Sequence, residues 1–458
     1  MKVVDLIKLV EKTINLFDKY VLENDLKPDK RLFIKSSPTK LTVTLSNVSS
    51  SSSMKIIEKE DWNVIIYHFL SQEILSTNLF ENLLSSIIKK YKDNIKKIIP
   101  IENIKSQVKF WLQNFLTYIL NKNMENLLTK EEIIEYAASF RSELDLSPIE
   151  QHHKYYLDGI FLEDEKIIID ESCLIRKIIE SDLEYTKDIF FDFEKSYYAN
   201  IPPSILEINM FTNDEVDLYN KKECILHALR LYKLGSIFSQ KRITTKKSYM
   251  WSMPNGFDYA YKIYSSYEKY SIKKEESDIF IQFIRYIEDK LLFDENDKKY
   301  WNLSISLERY DSSLLEPIDI DRKIMTAVMG LESLFTLESD KGENSYKLSI
   351  RVAKLLGLFN YNMNDVRFNV FKAYNYRNKV VHGLYISTTD KKIRKQLFYD
   401  IINYLRNSLI IFLSLKEIGK NKLVDMLDKS LIDKNYEIQI KKLIDNELFN
   451  YNSLLYKS

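Results

Sequence analysis

Glycine and proline are scarce in this chain: its 458 residues contain eight of each, against average usage of about 7% and 5%. No glycine precedes Gly159 and no proline follows Pro317. So little turn punctuation argues against a turn-rich all-β fold and predicts a mainly α-helical protein. Cysteine is rarer still, with Cys173 and Cys224 the only two. They are too few and too far apart for a disulfide framework or a zinc site, and they fit a reducing compartment. No uninterrupted apolar run approaches the roughly 18 residues of a membrane span, and the first residues lead into a charge-broken amphipathic pattern, not a signal segment. The expectation is a soluble, cytoplasmic protein with no membrane contact. An excess of charge is lacking too: 67 basic and 66 acidic residues leave a net charge of +1. No overall field marks a nucleic-acid binder, so any such affinity has to be local. A Gly-rich phosphate loop and a Gly-x-Ser-x-Gly elbow are both missing, which disfavours NTP hydrolysis and serine hydrolase chemistry, and no cofactor is implied.

What is present is helical periodicity, with 45% hydrophobic residues, enough for two or three cores. Leu6, Val10, Ile14 and Phe17 recur at helical spacing, Leu41 to Leu45 alternates like a short strand, and Ser49 to Ser53 reads as a flexible loop. Helical periodicity returns from Trp62 to about Arg141, with breaks at Ile98 to Pro100 and at Asp145 to Pro148. Residues 1–150 therefore read as a helical N-terminal domain. Residues 151–255 read as a small α+β domain: two short strands surround a charged turn between Ile160 and Ile169, and Pro202-Pro203 marks an edge strand through Met210. A helix from Glu223 to Leu234 follows, and Pro254-Asn255-Gly256 closes the segment.

Residues 256–458 read as helical throughout. Tyr259, Ile263, Tyr267 and Tyr270 begin one helix, Ile279 to Ile287 lie on a second, and Trp301 to Tyr310 form a third. Asp319 is the expected N-cap of the next, which runs through Phe335, and Gly357 is the expected C′ residue of a helix from Ser345. Asn364 or Asp365 caps a helix that carries Val366, Val370, Ala373 and Val381 inward and stops near Gly383. Asp390 caps a long one with a core stripe of Ile393, Leu397, Ile401, Leu405, Leu409 and Phe412, and two short helices fill residues 421–458.

Chemistry concentrates in Tyr374-Asn375-Tyr376-Arg377-Asn378-Lys379-Val380-Val381-His382-Gly383, in a chain with only five histidines. Arginine offers a permanent cation with a fork of donors suited to phosphate, and histidine gives and takes protons near neutral pH. That pair is what phosphodiester chemistry without a metal would need. Asn378 and His382 share a helix face, whereas Arg377 and His382 lie roughly 140° apart around the axis and about 7.5 Å along it. They converge only through the long Arg side chain, a distorted helix end or a second subunit.

This element resembles the HEPN superfamily, most closely its Apea-like branch, whose hallmark is Arg, a polar residue and, shortly after, His. Two more blocks match the branch in order: Ala327 to Phe335, and Ser345 to Gly357. The likeness covers about residues 296–416 and implies a C-terminal HEPN-type antiparallel helical bundle. It also implies a metal-independent endoribonuclease producing 2′,3′-cyclic phosphate and 5′-hydroxyl ends. In that reading His382 assists 2′-hydroxyl attack or protonates the leaving oxygen, Arg377 steadies the charged phosphorane, and Asn378 orients one of them. A toxin or antiviral defence effector is the implied context, acting as a homodimer through the motif-bearing helix, with an antitoxin or regulatory partner. The alternative is a HEPN fold that binds RNA or nucleotide, or pairs subunits, without cutting.

Plainer readings stand beside these. A cation and a histidine at a helix C-terminus also suit the helix dipole. Lys379 is either a phosphate contact or a solvated charge, and Tyr374 and Tyr376 either stack a base or pack. Glu332 interrupts the apolar run Val328 to Phe335, where a carboxylate is costly unless paired. It either holds Arg377 or pairs with Arg351, and the structural pairing is the reading adopted. His152-His153 lacks a third ligand at metal spacing, His227 and Cys224 form an ordinary helix-face pair, and His68, Trp62 and Trp111 are packing residues of the N-terminal domain.

Overall fold

The computed structural model describes residues 3–23, 69–96, 103–121, 147–180, 203–212, 215–246, 268–292, 297–383 and 391–448, with single positions between 134 and 145 and at 182, 451, 454 and 455. The expected strand at 41–45, the serine loop, Trp62, His68, the break at 98–100, Pro254 to Gly256, Tyr259 to Tyr267 and Asp390 all lie outside the described residues. The protein is mainly helical, with one five-stranded antiparallel sheet.

The N-terminal helices α1 (Val3–Glu23), α2 (Asn78–Lys96) and α3 (Ile104–Asn121) enclose a hydrophobic core of their own, built on Leu9, Phe17, Phe80, Ile87, Val108 and Trp111. Trp111 stacks on Phe140 with ring centroids 4.2 Å apart. The chain then passes from the buried Leu144 into β1 (Ile149–Asp158), followed by β2 (Ile160–Leu162), β3 (Lys166–Asp170), β4 (Cys173–Lys177) and β5 (Ser204–Thr212). After α4 (Glu215–Tyr232) come β6 (Phe238–Lys246) and β7 (Tyr270–Ile272). The sheet order is β3-β4-β5-β1-β6, and β2 pairs separately with β7 in parallel.

Two local expectations change here. β5 is an interior strand, not an edge, because its ladder begins at Ser204, just beyond the two prolines, where every residue again has an N–H to donate. The two strands expected around the charged turn are both present, β2 pairing with β7 and β3 with β4. Tyr270 lies in a strand, not a helix.

Helices α5 (Ser277–Leu291), α6 (Trp301–Leu315), α7 (Ile320–Phe335), α8 (Asn344–Gly357), α9 (Met363–Val381), α10 (Lys391–Ser414), α11 (Lys420–Ser430) and α12 (Lys434–Leu448) follow. Asp319 caps α7 as expected, its carboxylate accepting from the Asp321 and Arg322 amides. Asn362, not Asn364 or Asp365, caps α9. Val366, Val370 and Ala373 point inward, but Val381 is 53% exposed, and on α10 Ile393 is 49% exposed. Pairs α6/α7 and α8/α9 are antiparallel, as the contacts Ser306–Gly330, Ser333–Asn302 and Gly357–Met363 require. Helices α7 and α10 run parallel, since Arg394 meets Asp321, Leu405 meets Gly330 and Phe412 meets Phe335. The expected antiparallel bundle thus contains a parallel pair, and a side chain at Gly330 would collide with Leu405.

Sheet and bundle share one continuous core, from Tyr155 and Ile208 through Phe283 and Leu331 to Leu409. Its hinge point is the C-terminus of α4, whose last four carbonyls have no partner within the helix. Tyr270 of β7 donates to Leu229 O at 2.6 Å and Tyr310 of α6 to Arg230 O at 2.7 Å. Arg406 of α10 donates through Nε to Leu231 O at 2.7 Å and through Nη2 to Tyr232 O. Arg406 is buried and sits at the negative end of the helix dipole, which supplies the charge complement that a carboxylate would otherwise give. Replacing it with Met leaves two buried carbonyls unsatisfied at about 1 to 3 kcal/mol each. Urea unfolding of Arg406→Met is therefore expected to show a loss of several kcal/mol, and Tyr310→Phe a loss of about 1 to 2 kcal/mol from a single carbonyl.

Candidate active site

Helix α9 ends where the sequence places its chemistry. The His382 amide donates to Asn378 O at 3.0 Å, His382 takes the C-cap position, and Gly383 follows at φ +63°, a left-handed conformation that an L side chain rarely adopts. The helix stop at Gly383 thus exposes His382 at its end.

Arg377 points the other way. Its Nη1 donates to Asn378 Oδ1 at 3.1 Å, its Nη2 lies 3.5 Å from Glu332 Oε2 on α7, and its Cζ lies 5.7 Å from the centre of the Tyr374 ring. Its Nε is buried with no hydrogen-bond partner. Glu332 is half-buried, and burial pushes its carboxyl up, an effect that the Arg377 charge and a hydrogen bond with Tyr374 only partly offset. Burial and the neighbouring Glu332 likewise raise the Tyr374 phenol.

Arg377, Asn378, Tyr374 and Glu332 therefore form one cluster, and His382 stands apart from it on the exposed face. Tyr374 is buried beneath the guanidinium, so its ring is not presented to a base, and Tyr376 packs partly into the shared core. Lys379 is exposed.

The expected Glu332–Arg351 pairing does not occur. Arg351 is instead saturated by two carboxylates and a carbonyl: Asp428 at 2.8 and 2.6 Å, Asp340 at 2.6 and 3.1 Å, and Phe335 O at 2.8 Å. It binds the end of α7 to α11, and it holds the Asp340 carboxyl well below the usual carboxylate range. Glu332 cannot reach this arginine because it faces α9.

The remaining histidines separate as well. On β1, His152 and His153 lie on opposite faces of the sheet. His152 Nε2 is 3.6 Å from Glu207, and the buried His153 is 3.2 Å from Gln151 Oε1. His227 meets Asp311 at 2.8 Å. Among the described residues no group of three His, Cys, Asp or Glu could hold a metal ion, and no described helix is long and apolar enough to cross a membrane.

Two features of this region escape motif reading. Phe368 is 65% and Phe371 43% exposed on α9, and they lie within roughly 40° and 20° of the His382 direction around the axis. Their exposure could not be read from residue type, because aromatics at helical spacing ordinarily pack inward. The second is local charge: from Lys372 to Lys395 the chain has seven basic residues and one acid, on a protein of net charge +1. A running charge count would have found it.

Compared with models of protein families, with curated proteins and with solved structures, the chain matches none. The assignment of Arg351 and Glu332 gives a direct test. Arg351→Met strands two carboxylates and should cost about 3 to 5 kcal/mol, whereas Glu332→Gln should shift the denaturation midpoint by less than about 1 kcal/mol in equivalent stability.

Proposed function

We propose that this protein is a metal-independent endoribonuclease of the Apea-like HEPN type, working as a homodimer and serving as a toxin or antiviral defence effector in the cytoplasm. The observation that carries the reading is the end of α9, where Arg377 bonded to Asn378 is followed by an exposed His382 at the helix stop. In the reaction the ribose 2′-oxygen attacks phosphorus and the P–O5′ bond breaks. Products are a 2′,3′-cyclic phosphate and a 5′-hydroxyl. His382 accepts the 2′-hydroxyl proton or supplies one to the leaving oxygen, and Arg377 balances the charge on the phosphorane.

Local charge supports RNA as the substrate. The first turn of α10 has Lys391, Lys392 and Arg394 and no acid, the reverse of what a helix N-terminus prefers. Arg394 is held by Asp321 at 2.8 Å within the protein, so the support lies in the charge of the segment as a whole, seven basic residues to one acid from Lys372 to Lys395. The dimer is supported by geometry: one chain sends Arg377 inward to Glu332 and His382 outward. A two-fold pairing across Phe368 and Phe371 would bury exposed aromatics, and it brings the two His382 ends together only where the paired helices run parallel, since His382 lies about 16 Å along the axis from Phe371.

A second reading, RNA binding or subunit pairing without cleavage, is favoured by one observation, that Arg377 faces Glu332 and not His382. Cleavage of single-stranded RNA in excess EDTA separates the two. The expected outcome is cutting by the native chain, loss of at least about 100-fold in rate for His382→Ala and Arg377→Ala, unchanged helical circular dichroism, and relief by His382→Ala of growth arrest in a bacterial host. Cutting that survives both substitutions would move the site elsewhere. For the dimer, light scattering should give a mass near twice 54.5 kDa for the native chain, and Phe368→Asp with Phe371→Asp should return it to one chain with loss of cleavage.

A further inference from the structure

Three buried or half-buried arginines set a standard within this molecule. Arg351 makes five hydrogen bonds between 2.6 and 3.1 Å. Arg406 has bonds from Nε and from both terminal nitrogens. Arg377 makes one hydrogen bond of 3.1 Å and one ion pair of 3.5 Å, and its buried Nε has no partner, as is also true of Arg309 and Arg394, so the long contacts are what distinguish it from Arg351 and Arg406. A charge-assisted bond between a guanidinium and a carboxylate normally closes to about 2.7 to 2.9 Å, and an unpaired buried donor costs about 1 to 3 kcal/mol. The first two arginines anchor the fold. The third is held loosely in a place that satisfies it poorly.

Glu332 is what holds it there. The apolar run from Val328 to Phe335 gives no structural need for a carboxylate, and removing one from water is costly unless its pairing is tight. The ion pair here is loose, and the second contact is with Tyr374, itself buried. We propose that Glu332 is a positioning residue that competes with a phosphodiester for Arg377: its carboxylate keeps the guanidinium turned inward until a better acceptor, a phosphate of the bound strand, takes it over. This rests on the reading of Arg377 as the phosphate-binding group of a ribonuclease. The exchange needs no backbone rearrangement, because Arg side chains reorient about four torsions and one terminal nitrogen, Nη1, already meets Asn378 at 3.1 Å.

The competition makes a specific demand on Glu332→Gln, which keeps the shape and the Tyr374 contact but removes the charge. In the full-length chain, phenylglyoxal modification of Arg377, followed by peptide mass spectrometry, should become several-fold faster in Glu332→Gln than in the native protein. This readout involves no RNA. On a His382→Ala background, which prevents cutting, Glu332→Gln should bind single-stranded RNA several-fold more tightly. It should also steepen the dependence of log affinity on log salt by about 0.7, the increment for one further phosphate contact on a single strand. A merely structural carboxylate would move neither the modification rate nor the salt slope, and an unchanged rate at Arg377 would overturn the proposal. Weaker RNA binding by Glu332→Gln would overturn it as well, since it would mean that Glu332 presents Arg377 to the phosphate. Faster modification with no RNA binding by any variant would keep Glu332 as the restraint on Arg377 and would sink the ribonuclease reading alone.

Discussion

The C-terminus of α4 is the point on which the sheet and the bundle depend. A helix that ends inside a protein exposes four carbonyls to a medium without water, and each must find a donor or cost free energy. Here the donors come from three separate elements: Tyr270 on β7, Tyr310 on α6 and Arg406 on α10. Hydrophobic burial alone would let these elements slide, since it is non-directional. Four hydrogen bonds with fixed angles do not. The same helix contributes Leu226 and Leu229 to the core that the sheet and the bundle share.

A contrast between saturated and unsaturated polar groups organises the rest. Arg351 and Arg406 lie in the interior and are engaged through several contacts each, whereas Asp311, which meets both His227 and Arg230 through Oδ2, keeps an unpartnered Oδ1. Where the proposed chemistry lies, satisfaction is incomplete: Arg377 has an unpartnered Nε, Glu332 is a carboxyl pushed up by burial, and His382 stands in solvent. Folded proteins rarely leave buried polar groups unpaired without a reason. The fold tolerates the deficit because α9 is fixed on its other face by Val366, Val370 and Ala373, all buried.

Much of this was legible in the sequence, and the failures have common physical causes. Helices with a long apolar stripe were placed correctly, as was the Asp319 cap, because periodicity and capping are local properties. The stop at Gly383 was legible for the same reason. Errors came where a residue's role depends on what faces it. Gly357 has the sequence position of a C′ residue, yet it is still helical and its missing Cβ makes room for Met363. Pro202-Pro203 suggested an edge, but strand order is a tertiary property, and the prolines end just before the ladder starts. Glu332 had two arginines in range by residue type, and only the crossing of α7 with α9 decides between them. Exposure of Phe368 and Phe371 likewise needs the third dimension.

The junction between the two hydrophobic cores has a mechanical meaning. Leu144 is buried in the N-terminal core, its carbonyl held by Asn94 at 3.1 Å, and β1 begins at Ile149. Four residues therefore separate one core from a strand hydrogen-bonded on both sides, to β5 and to β6. Fully extended, such a tether spans only about 13 Å of chain, so it has little slack to take up rotation or displacement of the N-terminal helices. Displacement of the described helices α1 to α3 would therefore be felt at β1 within a few residues.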